Sequence, residues 1–128
     1  MSKLDKESVI GITALLVHAA NIDEIYSSHE KDLIKDFIRS YLKEDDTNEI
    51  LKKAEKIEND SNQLLNYTNL IKKNSMNIKT DIIEHLWKVI ISDNTVDQYE
   101  SNLVRRICGL IYFPDKESAE IKLKLTNN

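Results

Sequence analysis

Apolar residues recur along the chain at helical spacing, with short polar stretches between the recurrences. One segment steps by four in adjacent apolar pairs, which is typical of one face of an amphipathic helix: Leu33, Ile34, Phe37, Ile38, Tyr41 and Leu42. Two other segments, residues 4–22 and 82–91, are apolar on nearly every side. Such segments are typical of helices that lie at the centre of a fold, because each side needs an apolar neighbour.

Four further segments extend this pattern over the rest of the chain. Apolar stripes at residues 50–57, 64–71 and 103–111 predict three more amphipathic helices, and Pro114 separates the last of them from a short final helix. The polar breaks lie at residues 23–28, 44–47, 59–62, 74–77 and 93–97. None is long enough to be an interdomain linker. The sequence therefore predicts a single all-α domain over residues 1–128, with about seven helices.

The chain also resembles itself at an offset of 70 residues. At this offset both copies have a very apolar helix, then an acidic loop, then an amphipathic helix. The matched pairs are Leu16 with Leu86, Asp23 with Asp93, Glu30 with Glu100, Leu33 with Leu103, Ile34 with Val104, and Phe37 with Ile107. We expect two pseudo-repeated helical hairpins in which the two apolar helices pack against each other at the centre.

Composition excludes several classes of protein. Two glycines and one proline in 128 residues are too few for the turns of an all-β fold. A net charge of −4, with 15 lysines among the 18 basic residues, argues against a nucleic-acid-binding module. No apolar run approaches the roughly 18 residues that a membrane-spanning helix needs. Because the N-terminus is charged and Cys108 is the single cysteine, we expect a cytoplasmic protein.

Catalytic signatures are missing from the sequence. The two glycines lie far apart, so there is no phosphate-binding loop. The histidines and Cys108 lack the spacing of a zinc site. We interpret His18 as a hydrogen-bonded residue of the core or its boundary, and Trp87 and Cys108 as core residues. We therefore predict no catalytic residues, no residues that bind an organic cofactor, and no enzymatic activity.

The most informative segment is residues 86–107, which reads LWKVIISDNTVDQYESNLVRRI. It resembles the second hairpin of the tellurite-resistance protein B (TerB) family, which has an apolar helix with Leu-Trp, an Asp-Gly-Glu-hydrophobic-Asp loop, Tyr-Glu, and a helix with Arg-Arg-Ile. Residues 15–23, LLVHAANID, resemble the first copy, with Glu30 at its closing acidic position. The resemblance extends from about Leu15 to Leu123, nearly the whole chain.

This resemblance implies an all-helical TerB-like fold whose acidic loops bind a divalent cation. The implied metal ligands are Asp93, Asp97 and Glu100 in the second loop, and Asp23 and Glu30 in the first. Calcium is the expected ion, because it prefers six to eight oxygen ligands, several of them carboxylates. The second loop has Asn94-Thr95 in place of the family's Gly-Glu pair and so lacks one carboxylate.

Both loops also have an interpretation without a metal. Ser27 with Glu30, and Asp97 with Glu100, have the spacing of a capping box, in which side chains bond the free N–H groups of a helix N-terminus. Capping alone therefore remains an alternative for each loop.

The resemblance implies a non-enzymatic stress-response component that binds a protein partner. It is also compatible with peripheral association with a membrane. The second hypothesis is a helical adaptor that binds a protein partner without a metal. A metal-dependent hydrolase built on Asp93, Asp97 and Glu100 ranks third, because no base or nucleophile accompanies the carboxylates.

Overall fold

The structure is a computed structural model that describes residues 5–21, 27–42, 46–60, 64–91 and 98–126. Over these ranges the chain forms seven α-helices and no strand, which confirms the predicted all-α class. The helices are α1 (Lys6–Ala20), α2 (Ser28–Tyr41), α3 (Thr47–Asp60), α4 (Leu64–Lys72), α5 (Met76–Ile91), α6 (Gln98–Ile111) and α7 (Asp115–Thr126).

Helices α1 and α5 lie at the centre and contact each other, as the apolar pattern predicted. Helix α1 also packs against α2, α3 and α4, whereas α5 also packs against α2, α6 and α7. Ten of the fifteen residues of α1 are buried. Helix α5 is less enclosed than expected, since Met76 is 46% exposed and Asp81, Glu84 and Lys88 are only partly buried. Asp81, Glu84 and Lys88 follow one edge, where they keep access to water, whereas Lys79 is 8% exposed.

The helix bounds repeat at the offset found in the sequence. Helix α2 spans Ser28–Tyr41 and α6 spans Gln98–Ile111, and α1 and α5 begin at Lys6 and Met76. In each copy the third helix also packs on the first, α3 on α1 and α7 on α5. The repeat is therefore two sets of three helices joined by α4, which packs against α1 and α6.

The turn between α6 and α7 directs the last helix back onto α5. Tyr112 has a φ of 61°, in the left-handed region, and the N–H of Phe113 donates to the carbonyl oxygen of Cys108 over 2.8 Å. This is the pattern of a Schellman motif, which usually has glycine where Tyr112 lies. Pro114 follows, and α7 begins at Asp115. The turn brings Ser118 against Trp87 of α5.

Candidate functional site

The C-terminal end of α1 carries polar contacts next to the first acidic segment of the sequence. His18 Nδ1 lies 3.3 Å from Glu58 Oε1, and Asn21 Nδ2 donates to Glu58 Oε2 over 3.3 Å. Glu58 comes from α3, and its side chain is only 12% exposed. One carboxylate of α3 thus holds the end of α1, and the expectation that His18 is a hydrogen-bonded boundary residue is confirmed.

The buried face of α3 differs in its last turn from the face that the apolar residues predicted. Ile57 was expected on the buried stripe, yet it is 39% exposed. Thr47, Ile50 and Ala54 are buried. A further step of four residues along this face leads to Glu58 and not to Ile57. The inward position in the last turn is therefore occupied by a carboxylate, whose hydrogen bonds to α1 offset the cost of its burial.

A cavity of about 460 Å³ opens beside these contacts, between α1, α2 and α3. Its charged lining residues are Lys31, Lys56, Glu55 and Glu58. Because the two ammonium groups balance the two carboxylates, the lining has no excess of negative charge to attract a cation. Across the described part of the chain, no three histidine, cysteine, aspartate or glutamate residues group closely enough to hold a metal ion.

Glu30 is the one implied metal ligand whose side chain the structure describes. It is 4% exposed; its Oε1 accepts from the N–H of Ser27 over 2.8 Å, and its own N–H donates to Ser27 Oγ over 3.1 Å. The predicted capping box at the start of α2 is therefore confirmed. A bond from a backbone N–H already engages one carboxylate oxygen of Glu30.

The other implied ligands are not placed by the structure. Asp23, Asp93 and Asp97 lie outside the described residues, and so does the second predicted capping box. Glu100 lies in the first turn of α6, but its side chain is outside what the structure describes. The second-loop cation site therefore stays a prediction.

A second polar cluster, which the sequence pattern did not predict, joins α2 to α5. Tyr41 Oη donates to Asp81 Oδ2 over 2.6 Å, and His85 Nδ1 lies 3.4 Å from Asp81 Oδ1. His85 Nδ1 also lies 2.8 Å from the carbonyl oxygen of Asp81, so this nitrogen carries the hydrogen. The spacing of Asp81 and His85, one helical turn apart, is a signal in the sequence, but Tyr41 comes from another repeat.

The Tyr41 contact predicts a pH dependence of stability. Burial, followed by the hydrogen bond to Asp81, raises the pKa of Tyr41 above its ordinary value of 10. A phenol whose pKa is raised by folding stabilises the fold fully below the unfolded pKa and loses that contribution as the pH rises above it. We expect the wild type to lose stability relative to Tyr41→Phe above about pH 10, by up to ~1.4 kcal/mol per pH unit.

Urea denaturation between pH 7 and 11 measures this difference. Tyr112→Phe, which changes a tyrosine that is 67% exposed, controls for the removal of a phenol. If the wild type and Tyr41→Phe show parallel pH profiles, the hydrogen bond to Asp81 does not hold the phenol neutral.

The single cysteine lies in the core next to the α7 turn. Cys108 has no exposed surface, and burial raises the pKa of its thiol. The thiolate is the nucleophilic form of cysteine, and burial disfavours it. The interpretation of Cys108 as a buried apolar residue is therefore confirmed. Trp87 is also a core residue, at 4% exposure.

The described residues form seven helices, two related sets of three joined by α4, and an acidic segment follows the first helix of each set in the sequence. These features define a small all-α protein with an internal pseudo-repeat. The family described as Tellurite resistance protein TerB matches residues 9–123, and the chain belongs to this family. No curated protein and no solved structure matches the chain. None of the described helices is long and apolar enough to cross a membrane.

Proposed function

We propose that this TerB-family chain is a non-enzymatic, cytoplasmic stress-response component that binds a divalent cation through its second acidic loop. Calcium is the cation that we expect first. The proposed ligands are Asp93, Asp97 and Glu100 in the second loop, and Asp23 and Glu30 in the first. Family membership over residues 9–123 is the observation that carries the proposal. A link to tellurite resistance follows from the family's description alone.

The place of the acidic loops in the sequence, directly after two helices, supports cation binding on physical grounds. The first loop follows α1 and the second follows α5, the two central helices. The last carbonyl groups of a helix lack partners within the helix, and its C-terminus carries a partial negative charge. An acidic segment directly after such an end adds carboxylates to these carbonyl oxygens, and both are ligands that calcium prefers.

A helical adaptor without metal is the second candidate, and two observations favour it. The Glu30 carboxylate is already used in the capping box of α2. In addition, a cavity of about 350 Å³ between α5 and α7 is lined by the apolar side chains of Met76, Phe113 and Ile121 together with Thr80, Glu117, Glu120 and Lys124. An exposed methionine in a groove of mixed apolar and charged residues is compatible with a surface that binds proteins.

Asp97→Asn separates the two candidates. Asparagine caps a helix about as well as aspartate, but it removes a charge that a hard cation needs. We expect calcium to raise the melting temperature of chelator-treated wild type, because a ligand selective for the native state stabilises it by about 2.7 kcal/mol at a hundredfold excess over Kd. Asp97→Asn should lose this effect and keep the stability of the metal-free protein. Asp32→Asn, which neutralises an exposed carboxylate of α2, is the charge-matched control.

Thr95→Glu tests the same loop in the opposite direction. It restores the carboxylate that the family has at this position, so calorimetric titration should show tighter calcium binding than in the wild type. Thr95→Gln adds the same length of side chain without the charge and should leave the affinity unchanged. Absence of calcium binding in both the wild type and Thr95→Glu would favour the adaptor.

A further inference from the structure

A small cavity of about 160 Å³ lies where α5, α6 and α7 meet, away from the cavity beside Glu58. Trp87 of α5 contributes to the lining, Ser101 and Arg105 come from α6, and Asp115, Ser118 and Lys122 come from α7. None of these residues is a proposed cation ligand, so the cavity can be tested independently of the acidic loops.

Two cationic side chains of the lining have no acidic partner among the residues that the structure describes. The ion pairs among the described residues use His18, Arg39, Lys53 and His85 as their basic members, so neither Arg105 nor Lys122 takes part in one. The Lys122 ammonium lies 5.2 Å from the centre of the Trp87 ring. Among the described residues of the lining Asp115 is the only acidic one, so this part of the lining carries one net positive charge.

Hydroxyl and indole groups complete the polar lining. Trp87 Nε1 donates to Ser118 Oγ over 3.0 Å, and Ser118 is 5% exposed, so this side is held in place by a buried hydrogen bond. Ser101 precedes Arg105 by one helical turn and adds a second hydroxyl. An arginine fork binds two oxygens of one anion at once, and a lysine adds a point charge. These donors suit a compact oxyanion better than a neutral ligand.

From this geometry we infer that the cavity binds a phosphate-class oxyanion, held by Arg105 and Lys122 with the Ser101 hydroxyl. The anion is inorganic phosphate itself or the terminal phosphate of a small monoester. A phosphate dianion would pair with the two cationic side chains of the lining. A long polyanion does not fit the chain as a whole, whose net charge is −4.

Trp87 reports directly on the cavity, because it is the only tryptophan of the chain. The fluorescence of the wild type is titrated with inorganic phosphate, with methyl phosphate, and with sodium chloride at matched ionic strength. We expect a saturable change with one or both phosphates and none with chloride, since Lys122 over the indole ring moves toward the bound anion. Tighter binding of methyl phosphate would identify the monoester as the preferred form, and tighter binding of inorganic phosphate the free ion.

Neighbouring arginines provide a matched pair of variants. Arg105→Gln removes a charge inside the cavity, whereas Arg106→Gln removes the same charge from the next residue, which does not line it. We expect Arg105→Gln to weaken phosphate binding about tenfold, and Arg106→Gln less than about twofold, because a charge-assisted hydrogen bond outweighs a screened surface charge. Asp115→Asn should tighten binding, since it removes the negative charge that the described lining places beside the anion.

Three results would overturn the inference. The first is the absence of a saturable fluorescence change with either phosphate. The second is equal weakening by Arg105→Gln and Arg106→Gln, which would mean that only the overall charge matters. The third is weaker binding in Asp115→Asn. Both arginines are exposed, so circular dichroism should show unchanged folding in both variants.

Discussion

Trp87→Ala is expected to lower the free energy of unfolding by about 3–5 kcal/mol, the usual cost of truncating a large buried aromatic residue. Trp87 is 4% exposed and lies on α5, which packs against α1, α2, α6 and α7. The truncation leaves a cavity and removes the donor that bonds Ser118 Oγ. Because domains of this size are stable by roughly 5–15 kcal/mol, the variant should fold but unfold at a much lower urea concentration.

Two milder variants divide this effect into packing and hydrogen bonding. Trp87→Phe keeps a ring in the core and loses the N–H donor, so we expect a loss of about 1–2 kcal/mol. Ser118→Ala keeps the whole indole ring and leaves its N–H without the Ser118 acceptor, which costs about 1–3 kcal/mol. A loss of less than about 1 kcal/mol in Trp87→Ala, measured by urea denaturation, would contradict a core position for this residue.

Phe37→Ala is expected to have a comparable effect, about 3–5 kcal/mol, at the contact between α2 and α5. Phe37 has no exposed surface. Its ring centre lies 5.2 Å from that of Tyr41 in a tilted arrangement, and 5.3 Å from that of His85 in an edge-on arrangement. Aromatic pairs favour such arrangements. Truncation removes both contacts and opens the space beside the Tyr41–Asp81 hydrogen bond to water.

Urea denaturation of Phe37→Ala is compared with two controls. Phe37→Leu keeps most of the apolar volume, so its loss should be clearly smaller. Tyr112→Ala removes an aromatic ring that is 67% exposed and should cost less than about 1 kcal/mol. If Phe37→Ala and Tyr112→Ala lose similar stability, the contact between α2 and α5 does not contribute as the structure indicates.

The fold could be predicted from the sequence because its signals are local or periodic. Apolar steps of four specify the buried face of α2, where Ile34, Phe37 and Ile38 are fully buried. Pro114 and the capping box of Ser27 and Glu30 specify where helices begin. The offset of 70 residues specifies the repeat, because both copies need the same apolar face.

The candidate sites were harder to predict, because their residues come from different helices. Glu58 lies in the most charged part of the sequence, which favours a solvated face, yet it bonds His18 forty residues earlier. Tyr41 and Asp81 are also forty residues apart. The cavity with Arg105 and Lys122 needs the turn at Tyr112 to bring α7 back to α5. Of the implied cation ligands, only Glu30 has a described side chain, and it acts as a cap.

The sequence by itself determined the helices, their apolar faces apart from the last turn of α3, the repeat and the family, because each of these depends on the spacing of residue types along one chain. The tertiary structure alone decided which polar groups meet, because a side chain of one helix faces another only at a particular packing and rotation. The local sequence pattern is the same whether a polar residue of a helix lies in solvent or contacts another helix. A buried contact of this kind affects stability, since a buried carboxylate or indole N–H requires a hydrogen-bond partner. For Glu58 and Trp87 that partner lies on another helix.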